Sequence, residues 1–143
     1  MICDKAETLK AKGLPVTVQR IAILEYMDGN LDHPSADDIH AALHEKYASI
    51  SRATIYNNLV TLVSSGLLQE IDIDPEKAHY DSNISTHHHF YCTVCKHLYD
   101  VAIACPQLSH RDVDGHRIEQ VQGYFLGTCR TCLAAGTGGG HHA

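Results

Sequence analysis

The stretch Ser51-Arg-Ala-Thr-Ile-Tyr-Asn-Asn-Leu-Val-Thr-Leu-Val-Ser-Ser-Gly66 decides how the N-terminal half is read. Ser51 can cap a helix, Ile55, Leu59, Leu62 and Val63 recur on one helical face, and Gly66 stands where a helix C-terminal glycine is expected. Working back, Ser35 with Asp38 resembles a capping box with Asp in place of Glu, and Ile39, Ala42, Leu43 and Tyr47 form one apolar face. Further upstream Thr17 can cap a helix carrying Ile21, Leu24 and Met27, stopped by Gly29-Asn30, and a short Lys-rich helix ends at Gly13 before Pro15. The two helices that follow Pro34, joined by a turn of a few residues, are a helix-turn-helix candidate. Working forward, the period changes: Leu68–Ile73 and Ala78–Asp81 flank the turn-forming Asp74-Pro-Glu-Lys77, which predicts a hairpin. A hairpin directly after a helix-turn-helix makes a winged helix, whose second helix would lie in the major groove of a duplex.

Residues 82 to 86 read as a polar hinge. Beyond them short strands are expected around 88 to 94, 97 to 103 and 117 to 128, with one helix after Pro106. The expected class is therefore α+β: a winged helix-turn-helix domain over 1–81, a hinge over 82–86, a small α/β domain over 87–135, and a low-complexity, disordered tail over 136–143.

Cysteine spacing gives the sharpest chemical signal. Cys92-Thr-Val-Cys95 and Cys129-Arg-Thr-Cys132 each place two thiolates in a tight turn, and two such knuckles supply the four soft ligands of a closed tetrahedral zinc site. The 33 residues between the pairs exceed a finger loop, so the ion would staple the start of a domain to its end. A redox dithiol is the competing reading, and a matched pair of knuckles disfavours it. Cys3 and Cys105 have no partner motif. Beside the first knuckle lies His87-His88-His89, where strand alternation puts His87 and His89 on one side, able to bind one ion. Asp81 precedes this pair, Asp100 follows it, and His33 sits on a loop between helices. Such nitrogen and oxygen donors suit iron(II), manganese or zinc; taken alone, three adjacent histidines can equally be a solvated cluster.

The chain has 143 residues, no apolar run near the roughly 20 residues that span a bilayer, and no secretory signal pattern, so a cytoplasmic protein without membrane contact is expected. Its net charge of −6 weighs against nucleic acid as a partner, because duplex binders usually present a basic footprint. The deficit is even: six basic against nine acidic side chains over 1–70, five against eight over 71–143.

Taken together, His33-Pro-Ser-Ala-Asp-Asp-Ile39, Ala53-Thr-Ile-Tyr-Asn-Asn-Leu59 with Ser65-Gly-Leu67, and the His-rich run into Cys92-x-x-Cys95 resemble the ferric uptake regulator family across residues 4 to 132. Within the family the chain looks most like the peroxide-responsive branch, whose regulatory ion has three histidines and two aspartates; the matching positions are His33, Asp81, His87, His89 and Asp100. Iron-uptake regulators commonly carry Glu at the positions of Asp81 and Asp100. The resemblance implies a homodimeric, metal-dependent repressor of double-stranded operator DNA with a structural Zn(2+), a regulatory Fe(2+) or Mn(2+), and no organic cofactor. It implies further that the ion sets the angle between domains, and that peroxide acting on bound iron oxidises a ligand histidine, His33 or His87. A third metal site found in some relatives is not expected, since Gln120-Val-Gln-Gly-Tyr124 lacks its histidine and His88 should face away from the regulatory ion.

For DNA contact Arg52, Tyr56 and Asn57 are expected at base edges, with Thr54 and Thr61 on phosphates and Arg20, Lys10 and Lys12 as weaker phosphate candidates. Tyr56 could instead pack, and Arg52 could serve a surface ion pair. Two other functions compete: an iron, zinc or manganese uptake regulator without peroxide response, and, in another class, a mononuclear non-haem iron enzyme using two histidines and a carboxylate. The enzyme reading is weakened because five candidate protein ligands leave little open coordination; no H-E-x-x-H motif supports a zinc hydrolase.

Overall fold

In the computed structural model the described residues are 2–85, 87–102, 112–119 and 123–136. The chain divides into two compact units, Met1–Ile84 and Ser85–Ala143.

The first unit carries α1 (Ile2–Ala11), α2 (Val18–Met27), α3 (Ala36–His44) and α4 (Arg52–Ser64), followed by β1 (Gln69–Ile71) and β2 (His79–Asp81). Three of these helices begin where a side-chain oxygen takes an orphan N–H. Thr17 accepts from the Arg20 N–H, Ser51 accepts from the Thr54 N–H, and Ser35 and Asp38 form a reciprocal capping box at 3.2 and 3.0 Å. Gly66, at φ +79°, turns the chain out of α4 in a left-handed conformation that a Cβ would oppose. The apolar faces meet in one core of Leu9, Ile23, Met27, Ile39, Ile55, Leu59 and Leu62, with Tyr80 of β2 closing it from the hairpin side. β1 and β2 pair antiparallel with Gln69 opposite Asp81 and Ile71 opposite His79. Helices α2 to α4 with the β1–β2 hairpin are a winged helix, and α1 packs onto the same core through Leu9.

The second unit is built on β3 (His88–Cys92), flanked by antiparallel β4 (Leu98–Val101) and parallel β7 (Gly123–Gly127). A two-residue hairpin, β5 (Asp112–Val113) with β6 (His116–Arg117), and the short α5 (Arg130–Ala134) complete the described elements. Where one strand is expected over 117–128, Arg117 ends β6, Ile118 and Glu119 lie outside any strand, and β7 covers Gly123–Gly127. Asp114 (φ +50°) and Gly115 (φ +81°) both lie in the left-handed region, the backbone of the tight two-residue turn that joins β5 to β6. The helix expected after Pro106, Cys105 and residues 137–143 lie outside the described residues. Among the described residues no helix is long and apolar enough to cross a membrane.

β3 and β7 run close together because Gly123 has no side chain: a Cβ there would overlap the His88 imidazole, which is 7% exposed and lies edge-on to Phe125. Gly123→Ala is therefore expected to lower the stability of the metal-loaded protein by about 1–3 kcal/mol through overpacking, read as a drop in the denaturation midpoint. An unchanged midpoint would mean that His88 can turn aside.

Candidate metal centres and nucleic-acid interface

The two cysteine knuckles come together at one end of the β3 sheet. Cys92 ends β3, and the chain reverses through Lys96, a non-glycine residue at φ +64°, with the Lys96 N–H donating to the Cys92 carbonyl. Cys129 caps the N-terminus of α5 and Cys132 lies one turn later. The Sγ atoms stand 3.9 Å apart for Cys92–Cys132 and 3.8 Å for Cys95–Cys129, and all four fall within 4.8 Å of one another. A tetrahedron with Zn–S bonds of about 2.3 Å has edges of about 3.8 Å, so the four sulfurs fit a zinc ion and are too far apart for disulfides.

The surroundings favour thiolate. Burial works to raise the Cys92 pKa, but backbone N–H donors from Cys95, Cys129 and Val94 bring it down to about 6. The Tyr99 hydroxyl donates toward Cys129 and, with the Cys132 N–H, lowers that thiol as well; the same contact and burial hold the Tyr99 phenol up at about 12. Cys92, Cys129 and Cys132 are themselves the buried cluster of this end, with Phe90 and Tyr99 packed on them. Tyr99 and Phe90 were not expected from the sequence to touch the site; alternation along β3 and β4 toward the knuckle end was the available signal.

Each unit carries nitrogen and oxygen donors. In the second unit, β3 carries His89 and β4 carries Asp100 directly opposite it. The Nε2 atoms of His87 and His89 lie 3.1 and 3.3 Å from the same Asp100 Oδ1. The Ser85 carbonyl accepts from His87 Nδ1 at 2.7 Å, which fixes that tautomer and leaves Nε2 as the ligating atom. Two imidazole nitrogens on one carboxylate oxygen repel unless a proton or a cation lies among them, so this donor set fits a divalent ion. His88 points to the opposite face of β3, toward Gly123 and Phe125.

In the first unit His33 Nε2 lies 3.4 Å from Asp81 Oδ2, both side chains being almost wholly buried. The other Asp81 oxygen accepts from the Asn83 N–H at 2.9 Å, which orients the carboxylate. His33 has φ +51°, a conformation that a residue with a Cβ adopts at a cost of about 1–2 kcal/mol. The sequence gives no warning of its neighbours: His79 Nδ1 donates to the His33 carbonyl at 2.6 Å, and His79 Nε2 faces Asp74 Oδ2 at 2.9 Å. Burial pushes the Asp74 carboxyl up, yet the hydrogen bonds from His79 and the Glu76 N–H prevail and hold it below its ordinary value.

On α4, Tyr56 and Asn57 are exposed, as is Arg52 at its start; Tyr56 does not pack into the core. Arg52 lies 3.7 Å from Asp37 of α3 with both side chains open to solvent, an arrangement worth at most about 1 kcal/mol. Thr61 donates to the Asn57 carbonyl and Thr54 shares a hydrogen bond with Ser51. Arg20 is engaged inside the unit, donating to Asn58 of α4 at 3.0 Å and to the Pro15 carbonyl at 2.9 Å, so it braces α4.

A model of the ferric uptake regulator family matches residues 11–122. The peroxide operon regulator of Bacillus subtilis is 36% identical over 137 residues, covering 90% of this chain and 91% of that protein. The peroxide-responsive repressor PerR of Staphylococcus epidermidis is 32% identical over 141 residues, covering 93% and 91%. Among solved structures, the peroxide stress regulator of Campylobacter jejuni is similar at a TM-score of 0.68 and 28% identity, covering 88% of this chain and 97% of that one. With its winged helix, its paired knuckles and a family match across most of its length, the chain belongs to the ferric uptake regulator family.

Proposed function

We propose that this protein is a homodimeric, metal-dependent repressor of operator DNA that senses peroxide through iron-catalysed oxidation of a ligand histidine. The observation that carries the reading is the convergence of His87 and His89 on Asp100 Oδ1, apart from an all-sulfur cluster. One chain thus offers a soft, closed site and a nitrogen–oxygen site, and aspartate stands at both carboxylate positions. Relatives at 32–36% identity are named for peroxide response.

In this reading Cys92, Cys95, Cys129 and Cys132 hold a structural zinc ion. His33, Asp81, His87, His89 and Asp100 ligate a regulatory iron(II) or manganese ion. Iron bound there would supply electrons to peroxide, and His33 or His87 is the group oxidised. Each of these imidazoles presents Nε2 to a carboxylate, at 3.4 Å for His33 and 3.1 Å for His87. A ring altered by oxidation no longer ligates as imidazole, and the regulatory ion is lost. Arg52, Tyr56 and Asn57 read base edges, while Thr54 and Thr61 meet the backbone. The family and the relatives are named as regulators, which supports a regulator over the enzyme alternative.

Three outcomes test the reading. Cys95→Ser is expected to abolish zinc retention and stable folding or dimerisation, checked by zinc content and sedimentation, whereas His87→Ala keeps fold and zinc and loses metal-dependent DNA binding. If the two variants behaved alike, the separation of structural from regulatory metal would be wrong. Zinc-loaded protein should bind an operator-type duplex with either manganese or iron(II). After peroxide only the iron form should release it, with one oxygen atom added to the peptide containing His33 or His87 on mass spectrometry. DNA binding that survives peroxide would sink the sensing step and leave the metalloregulator. Arg52→Ala should weaken DNA binding by about 1–3 kcal/mol and relax preference at one base position, measured at fixed salt across a set of operator variants.

A further inference from the structure

Proline and polar loops usually connect helices without help from a distant strand, but the loop ahead of α3 is laid along the hairpin. The His33 carbonyl accepts from His79 Nδ1, the Pro34 carbonyl accepts from the Tyr80 N–H at 2.9 Å, and Ser35 forms a bridge with His79. His33–Ser35 is thus held against β2, and the residue that bears the imidazole is the one in the left-handed conformation. His79 is 6% exposed and Asp74 4%. The path runs from the hairpin turn, where the Glu76 N–H fixes Asp74 Oδ1, through Asp74 Oδ2 to His79, and from His79 to the backbone of His33. Every group in it lies in the first unit.

We propose that His79, braced by Asp74, is a positioning residue for the regulatory metal, holding the His33 main chain so that its imidazole meets Asp81, and thereby joining the wing hairpin to the metal site. The inference rests on the reading of His33 and Asp81 as ligands. It depends on geometry: a carbonyl can only accept, so His79 Nδ1 must donate to it, and a ring anchored at both nitrogens cannot swing away. A ligand whose backbone is left in an unfavourable conformation without its brace relaxes, and the metal must then rebuild the site on binding.

The test uses the full zinc-loaded chain titrated with manganese(II). His79→Ala is expected to weaken manganese binding by about 10- to 100-fold, the range for loss of an outer partner of a ligand. Asp74→Ala should weaken it by at least about threefold, and should add nothing in the His79→Ala background, because the brace acts only through His79. His79→Asn, whose side-chain N–H can stand where Nδ1–H stood, should recover most of the affinity. Before any manganese is added, amide exchange at Tyr80 should be faster in His79→Ala than in the parent.

A purely structural role would lower the melting temperature while the folded protein bound manganese within about threefold of the parent, and that result overturns the proposal. Should His79→Ala fail to fold, Asp74→Ala decides: unchanged manganese affinity there overturns it equally. His33→Ala separates this inference from the one beneath it. If His33→Ala binds manganese as the parent does, the ligand assignment fails and the positioning role falls with it; if only the His79 and Asp74 variants are without effect, the assignment stands and His79 has no part in it.

Discussion

Four sulfurs within 4.8 Å of one another, three of them on buried residues, make one end of the β3 sheet a cluster of ligands rather than of hydrocarbon. Thiols packed this closely are poor core material: their mutual contacts bury little apolar area, and thiolates repel once ionised. A divalent ion reverses both terms, because it requires the deprotonated form that the Cys95, Cys129 and Tyr99 donors already favour. Everything else described in this unit hangs from that cluster. β3 ends in it, β4 leaves it, and α5, too short to be stable alone, begins on Cys129. β3 carries His89 and is preceded by His87, so in the proposed reading a zinc ion at Cys92 would steady the strand that bears these two imidazoles.

The two donor chemistries are kept apart by strand alternation as much as by distance along the chain. Along β3, His89 and Tyr91 face one side and His88, Phe90 and Cys92 the other. The imidazole that opposes Asp100 and the thiol that opposes Cys132 therefore belong to opposite faces of a five-residue strand. Softness of ligand then does the sorting: thiolates retain zinc, and imidazole with carboxylate leaves iron(II) or manganese exchangeable. A site meant to respond must lose its ion on a timescale that a staple must not.

What the sequence made legible was whatever is settled within a few residues. The caps at Thr17, Ser35 and Ser51 and the stop at Gly66 were readable because each is a local hydrogen bond or a local φ. The knuckles were readable because C-x-x-C is itself a local turn. The expectation of a strand around 117 to 128 ran together β6, which ends at Arg117, and β7, which covers Gly123–Gly127, and it did not include the β5–β6 turn at Asp114-Gly115. His79 was illegible for a different reason. Its partner, the His33 carbonyl, lies 46 residues away, and nothing in the alternation of Ala78-His-Tyr-Asp81 distinguishes a histidine that braces a loop from one that fills a strand. Arg20 likewise looked like a free cation until Asn58, 38 residues on, was found to accept from it.

The acidic balance remains the hardest constraint on the proposed function. The chain is acidic overall at −6, Arg52 lies beside Asp37, and the Arg20 side chain is held by Asn58 and the Pro15 carbonyl. Counterion release, the usual bulk of affinity, is correspondingly small. In the proposed reading, affinity then rests on base contacts by Tyr56, Asn57 and Arg52 and on two copies of α4 spaced to match two half-sites. Poor single-domain affinity is an advantage to a switch, since a domain that bound DNA tightly on its own would not care whether its partner was well placed. Coupling of about 1–3 kcal/mol between ion and DNA is then enough to move occupancy by one or two orders of magnitude. In the proposed reading the same coupling runs backwards: DNA that favours the competent arrangement raises the affinity for the regulatory ion by the same factor, so release from DNA would fall to chemistry at the ligands rather than to passive loss of the ion.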